Sequence, residues 1–122
     1  MNTISEHFTI NEVDCNCGCG GIIIEPLLVQ CLEILRSVIG HGVNINSWYR
    51  CQEHNDAVGG TRKSQHRLGK AVDVWCEGLT SYHIATIAKH IKPFNNGGVI
   101  IYDNFVHLDI RGVRYHDDRR TT

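Results

Sequence analysis

The run Lys70-Ala71-Val72-Asp73-Val74-Trp75 alternates in side-chain character residue by residue, and Phe105 to Arg111 does the same further along the chain. Successive residues of a pleated strand point to opposite faces, so each run divides in two. In the first, Val72 and Val74 share a face, and Ala71, Asp73 and Trp75 take the other. In the second, Val106, Leu108 and Ile110 face one way, and Phe105, His107, Asp109 and Arg111 the other. A histidine and an aspartate on the non-aliphatic face of a mainly buried strand require an explanation beyond packing.

Helices are marked by a different period. Behind Pro26, the residues Leu27, Leu28, Cys31, Leu32, Leu35, Val38 and Ile39 recur at three- and four-residue intervals until Gly40 and Gly42 stop the pattern. A second helix is expected over residues 80–92, capped by Thr80 or Ser81, with Ile84, Ile87, Ala88 and Ile91 as its apolar stripe. Pro93 and the Asn95-Asn96-Gly97-Gly98 run are expected to end it. Strands are expected at Val43–Arg50 and Val99–Tyr102, a helical turn over 52–57, and a hairpin turn at Asp103-Asn104. Residues 7–14 read as an extended lead-in docked by Phe8 and Ile10, and the charged tail from Tyr115 to Thr122 as frayed. The sum is one α+β domain over residues 1–122, a mainly antiparallel sheet with two main helices packed against it.

A net charge of -1 with scattered basic residues excludes an electrostatic case for nucleic acid or anionic membrane surfaces. No stretch approaches the roughly 20 apolar residues of a membrane span. Met1 to His7 has neither a basic nor an apolar signal region, so the chain is expected to be made in the cytoplasm and to need another exit route for work outside it. Without a secretory signal, the six cysteines are expected to be reduced thiols. Cys31 and Cys76 read as small buried hydrophobes. Cys15-x-Cys17-x-Cys19 has neither the C-x2-C spacing of zinc ribbons nor a matching second half. It therefore reads as a surface turn, with a second metal site as the alternative.

His66 and Asp73 lie in Ser-x-His-x-x-Gly-x-Ala-x-Asp, where a glycine permits a turn and Ala71 leaves clearance beside two metal-competent groups. With His107 they make two imidazoles and one carboxylate. Catalytic zinc takes such a set of three protein ligands and keeps its fourth position open. His7, His41, His83, His90 and His116 read as surface or hydrogen-bonded residues.

Ser64 to Asp73, together with Phe105-Val106-His107-Leu108-Asp109, resembles the zinc D-alanyl-D-alanine carboxypeptidase and L-alanyl-D-glutamate endopeptidase family of peptidoglycan peptidases. Many phage endolysins belong to that family, and the signalling domain of Hedgehog proteins shares its fold. Cys15 to Gly20, Ser47 to Arg50, His54-Asn55 and Ala57 to Gly60 resemble its small single-domain members, so the similarity covers most of the chain. It implies one zinc per chain held by His66, Asp73 and His107, Arg50 in the substrate cleft, and Ser64 and Gln65 lining it.

The resemblance also implies hydrolysis of a stem or cross-link peptide of peptidoglycan, by a phage lysis enzyme or a cell-wall peptidase; the missing signal region favours a phage enzyme reaching the wall after holin-type release, and a monomer is expected. Where members of the family place the general base, three or two residues before the last zinc histidine, this chain has Asn104 and Phe105. Neither takes a proton. Asp109 and Asp103 remain as candidates, Asp109 alternatively as a partner that orients a ligand. That departure leaves a zinc-stabilised binding domain without catalysis as the other reading.

Overall fold

The computed structural model describes residues 3–60 and 64–121. Its core is built on the helix α2, Pro26–Ile39, which starts on its proline and ends on Gly40 in the left-handed conformation. Leu28, Val29, Cys31, Leu32 and Leu35 are buried, whereas Leu27 and Val38, at the edge of the expected stripe, are 43% and 62% exposed. Replacing Leu32, which has no exposed surface, by alanine should cost about 2–5 kcal/mol.

Five strands form one sheet in the order β1-β2-β4-β3-β5: β1 Asn44–Ser47, β2 Ala71–Trp75, β3 Gly98–Ile101, β4 Val106–Asp109 and β5 Tyr115–Asp118. All neighbouring pairs are antiparallel except β3 with β5. The α+β architecture is the expected one, and the alternation of β2 and β4 sorts their side chains as read. Val72, Val74, Val106 and Leu108 join a single core with α2 and with the helix α4, Ser81–Ala88.

Three local expectations are corrected. Residues 7–14 are not all extended: Ile10–Val13 form a short helix, α1, where Thr9 N–H donates to the Glu12 carboxylate at 2.9 Å. That is the reach-back half of a Thr-x-x-Glu capping box. Phe8 is buried as expected, but Ile10 faces out and Val13 takes the inward position. Next, the second helix stops at Ala88, and Pro93 lies in the first turn of a separate helix, α5, Lys92–Asn95. Proline has no N–H to lose there, so it starts a helix as readily as it ends one. Finally, the tail does not fray at Tyr115. It adds β5 to the sheet, where Val99 is the register partner of His116 and Ile100 of Asp117.

Register aligns the polar face. A shift in β1 between Ile45 and Ser47 brings Ser47 opposite Asp73. Asp73 pairs with His107, and His107 with Ile100. Cross-strand partners share a face, so Ser47, Asp73, His107, Ile100 and Asp117 make one row across the sheet, opposite the aliphatic core.

Candidate metal centre

His66 reaches this row from outside the sheet. It lies in a 3-10 turn, Gln65–Leu68, where the Ser64 hydroxyl accepts from His66 N–H at 3.2 Å and Gly69 closes the turn in the left-handed conformation. A Cβ on Gly69 would also stand 2.8 Å from the Ile23 carbonyl oxygen. The motif glycine is therefore fixed by both backbone angle and space.

The outer nitrogens of the two imidazoles set the tautomers. His66 Nδ1 lies 2.7 Å from the Trp48 carbonyl, which can only accept, so Nδ1 carries the proton. His107 Nε2 lies 2.7 Å from Asp109 Oδ2 and donates to it. This leaves His66 Nε2 and His107 Nδ1 as lone pairs facing Asp73 Oδ1 at 3.2 and 3.1 Å. Three acceptors converge without a hydrogen to share. Donors about 2.0–2.1 Å from a tetrahedral zinc stand about 3.3 Å apart, so the spacing fits that ion, and the imidazole and carboxylate chemistry suits it.

Without a metal, protonation of a ring is the other way to satisfy the cluster. Burial disfavours charge on His107, but hydrogen bonds to Asp109 and Asp73 outweigh it and raise its pKa above the ordinary histidine value. Burial likewise acts against ionised Asp73, yet hydrogen bonds from His107 and His66 hold its carboxyl well below the usual range.

Arg50 donates from Nη2 to the second Asp73 oxygen at 3.2 Å and from Nε to Ser47 Oγ at 3.1 Å. With Ser64, Gln65 and the three ligand candidates it lines a cavity of about 500 Å³. Arg111, Tyr115 and Arg119 also line this cavity, with Phe105 stacked on Tyr102 at 4.6 Å between ring centres. Tyr115 and Arg119 were missed because the tail was expected to be loose.

The two expected bases stand elsewhere. Asp109 has no exposed surface and does not line the cavity. Its oxygens accept from His107 Nε2, from Gly98 N–H at 2.8 Å, and from Arg111 at 2.6–3.1 Å. Burial would raise its pKa, but these partners, His107 and Arg111 foremost, hold it well below the usual carboxylate value. Of the two roles expected for it, this geometry is that of a partner orienting His107. Asp103 lines a separate cavity of about 210 Å³, and its carboxylate accepts from Thr121 N–H at 2.9 Å and Oγ1 at 2.7 Å. Among the described residues, Asp73 is the only carboxylate lining the larger cavity.

A small α+β domain with a buried two-histidine, one-carboxylate cluster at the wall of an open cleft has the makings of a metallohydrolase. The peptidase M15 model matches residues 6–109, and the chain belongs to that family of zinc-dependent, D-Ala-D-Ala carboxypeptidase-like peptidases. All three ligand candidates fall within the matched span. The comparison with curated proteins gave no match. No helix among the described residues is long and apolar enough to cross a membrane.

Proposed function

We propose that the protein is a zinc peptidase that hydrolyses a peptide bond in the stem or cross-link peptides of bacterial peptidoglycan, with His66, Asp73 and His107 as ligands of one catalytic zinc. The observation that carries this reading is Asp73 Oδ1 facing one nitrogen of each imidazole at 3.2 and 3.1 Å. Bound zinc would supply Lewis acidity, polarising the scissile carbonyl and making water more acidic.

The chain's own groups do the rest. Trp48 and Asp109 hold the two imidazoles in the tautomers that present lone pairs to the centre. Arg50 steadies Asp73 and offers its remaining N–H donors to negative charge developing on the substrate. Ser64 and Gln65 line the cleft as hydrogen-bonding groups. Three guanidiniums on the cavity wall, from Arg50, Arg111 and Arg119, suit a substrate rich in carboxylates, as peptidoglycan peptides are. The biological setting we infer is phage lysis, with a monomeric enzyme reaching the wall after holin-type release.

The second reading is a zinc-stabilised binding domain without catalysis. It is favoured by one observation, the lack of a carboxylate other than Asp73 among the described cavity-lining residues. Turbidity loss of purified peptidoglycan, read beside zinc content, separates the two. Wild type should lyse walls, and His66→Ala should lose both lysis and the zinc of this centre. Wild type that carries this zinc yet leaves several wall types intact would move the binding reading ahead. Failure of the histidine centre to hold metal would end both.

A further inference from the structure

Four of the six cysteines converge away from the catalytic cavity. Cys15, Cys17 and Cys19 come from the glycine-rich turn after α1, and Cys51 stands directly before the helix α3, Gln52–Ala57. Their four sulfurs all lie within 4.8 Å of one another. Cys15 is 3.4 Å from Cys17 and 3.7 Å from Cys51, and Cys17 is 3.6 Å from Cys51. Four thiolates bound to one zinc at about 2.3 Å stand about 3.8 Å apart at the corners of a tetrahedron. A disulfide would bring two of them to about 2.0 Å, whereas all six cysteines are free.

The backbone is shaped for this grouping. Gly18 and Gly20 take φ values of 81° and 79°, a region that residues with a Cβ rarely enter. Cys15 N–H donates to Gly21 O at 3.0 Å and Gly18 N–H to Cys15 O at 3.2 Å, folding the turn back on itself. Three amides then point at sulfur: Cys51 N–H at Cys15 Sγ (3.4 Å), His54 N–H at Cys51 Sγ (3.4 Å) and Gly21 N–H at Cys19 Sγ (3.3 Å). These contacts fix where each of the three sulfurs stands, and thiolate is the form that binds metal.

We propose that Cys15, Cys17, Cys19 and Cys51 form a second metal site that takes zinc as a structural ion. Soft thiolates in a tetrahedral set select zinc among abundant divalent ions, and four protein ligands leave no open position for substrate. Binding releases the thiol protons to solvent as four Zn–S bonds form. The ion joins the lead-in to the segment that serves the catalytic centre. Trp48 supplies the carbonyl that orients His66, and Arg50 the guanidinium on Asp73, while Cys51 is the next residue. Tyr49 N–H on Val13 O at 3.1 Å and Asn16 Nδ2 on Asn46 O at 2.9 Å fasten the same two segments.

Cobalt substitution tests this. The full chain is purified anaerobically with reductant, stripped of metal and titrated with Co²⁺. Thiolate-bound cobalt has intense sulfur-to-metal charge-transfer absorption, which a histidine–carboxylate site cannot produce. Wild type should take up about two cobalt ions per chain, one of them with that band. Cys51→Ser should lose the band and one equivalent. Cys17→Ser, at an exposed position outside the core, should do the same with its fold intact by circular dichroism. His66→Ala should lose the other equivalent and keep the band. A wild type without the band, its six thiols titrating after denaturation, would overturn the proposal, and so would a disulfide among the four in the anaerobic protein. A band that persists while the histidine-dependent equivalent is missing would count against the catalytic centre and leave the thiolate site standing.

Discussion

Asp109→Asn separates the two roles that a carboxylate beside His107 can have. Asp109 has no exposed surface, and its two oxygens receive only donors: His107 Nε2, Gly98 N–H and the Arg111 backbone and guanidinium. Asparagine keeps the shape but turns one of those oxygens into an NH2. Whichever way the amide lies, it sets donor against donor. Either Gly98 N–H or the Nε2 of His107 is left unsatisfied, which costs about 1–3 kcal/mol in a buried place. The ion pair with Arg111 goes too, but that side chain is 26% exposed, so water recovers part of the loss.

The larger effect is on the metal. With the His107 tautomer no longer fixed, zinc affinity at the histidine centre should fall about 10- to 100-fold, or about 1.4–2.7 kcal/mol. Chelator competition measures this, with the thiolate site followed separately by its cobalt band. Peptidoglycan hydrolysis should recover largely at saturating zinc, because orientation and not proton transfer has been damaged. A variant that binds zinc within about twofold of wild type but loses kcat would refute the reasoning and make Asp109 the proton carrier.

Arg50→Ala should keep zinc at the histidine centre while kcat falls about 10²- to 10³-fold, and Arg50→Lys should not restore it, since a point charge lacks the guanidinium fork; a loss under about threefold would sink the oxyanion role. Gly98→Ala places a methyl group against the Asp109 carboxylate, so a thermal melt should show about 1–3 kcal/mol of destabilisation together with weaker zinc binding. An unchanged melt and affinity would contradict the packing. Burial pushes Glu33 up, but Ser5 and His7 hold its pKa below the ordinary 4.5. A depressed carboxylate stabilises the folded state above its unfolded value and loses that contribution as pH falls through the folded one. Wild type should therefore lose stability below about pH 4.5 more steeply than Glu33→Gln, and parallel melting curves across that range would rule the tether out.

The convergence of Asp73 and His107 was legible because its constraints are local. A two-residue period fixes faces, so Asp73 and His107 had to leave the aliphatic side of β2 and β4 once those runs were strands. What escaped depends on pairing between distant segments. Alternation put Asp109 on the same face as His107, but the approach of Gly98 from β3, which completes the set of donors around its carboxylate, is a matter of strand pairing. Tyr115-His116-Asp117-Asp118 has no apolar period, since an edge strand joined by backbone bonds to β3 needs none. Pro93 is equally compatible with an end and a beginning, and the short link after Ala88 decided for the beginning. In sequence Cys51 stands apart, its nearest cysteine being Cys31, yet its sulfur neighbours are Cys15 and Cys17.

The stretch from Trp48 to Cys51 joins what the sequence presented as separate motifs. Each of its four residues is committed to a different partner: the Trp48 carbonyl to His66, Tyr49 N–H to Val13, the Arg50 guanidinium to Asp73, and the Cys51 sulfur to Cys15 and Cys17. β1 ends at Ser47, so no ladder of sheet hydrogen bonds maintains these four in register. Their positions must be set by the partners themselves. Metal ligands have to be held within about half an ångström of productive geometry by the groups around them. A loose Trp48 carbonyl would free the His66 ring, and a loose Arg50 would free the second oxygen of Asp73. An ion bound one residue beyond Arg50 anchors the stretch at the end the sheet does not reach. On this argument the cysteine cluster and the histidine centre are coupled through the backbone of one tetrapeptide, and the glycine-rich turn around Cys17 exists to bring the remaining sulfurs to it.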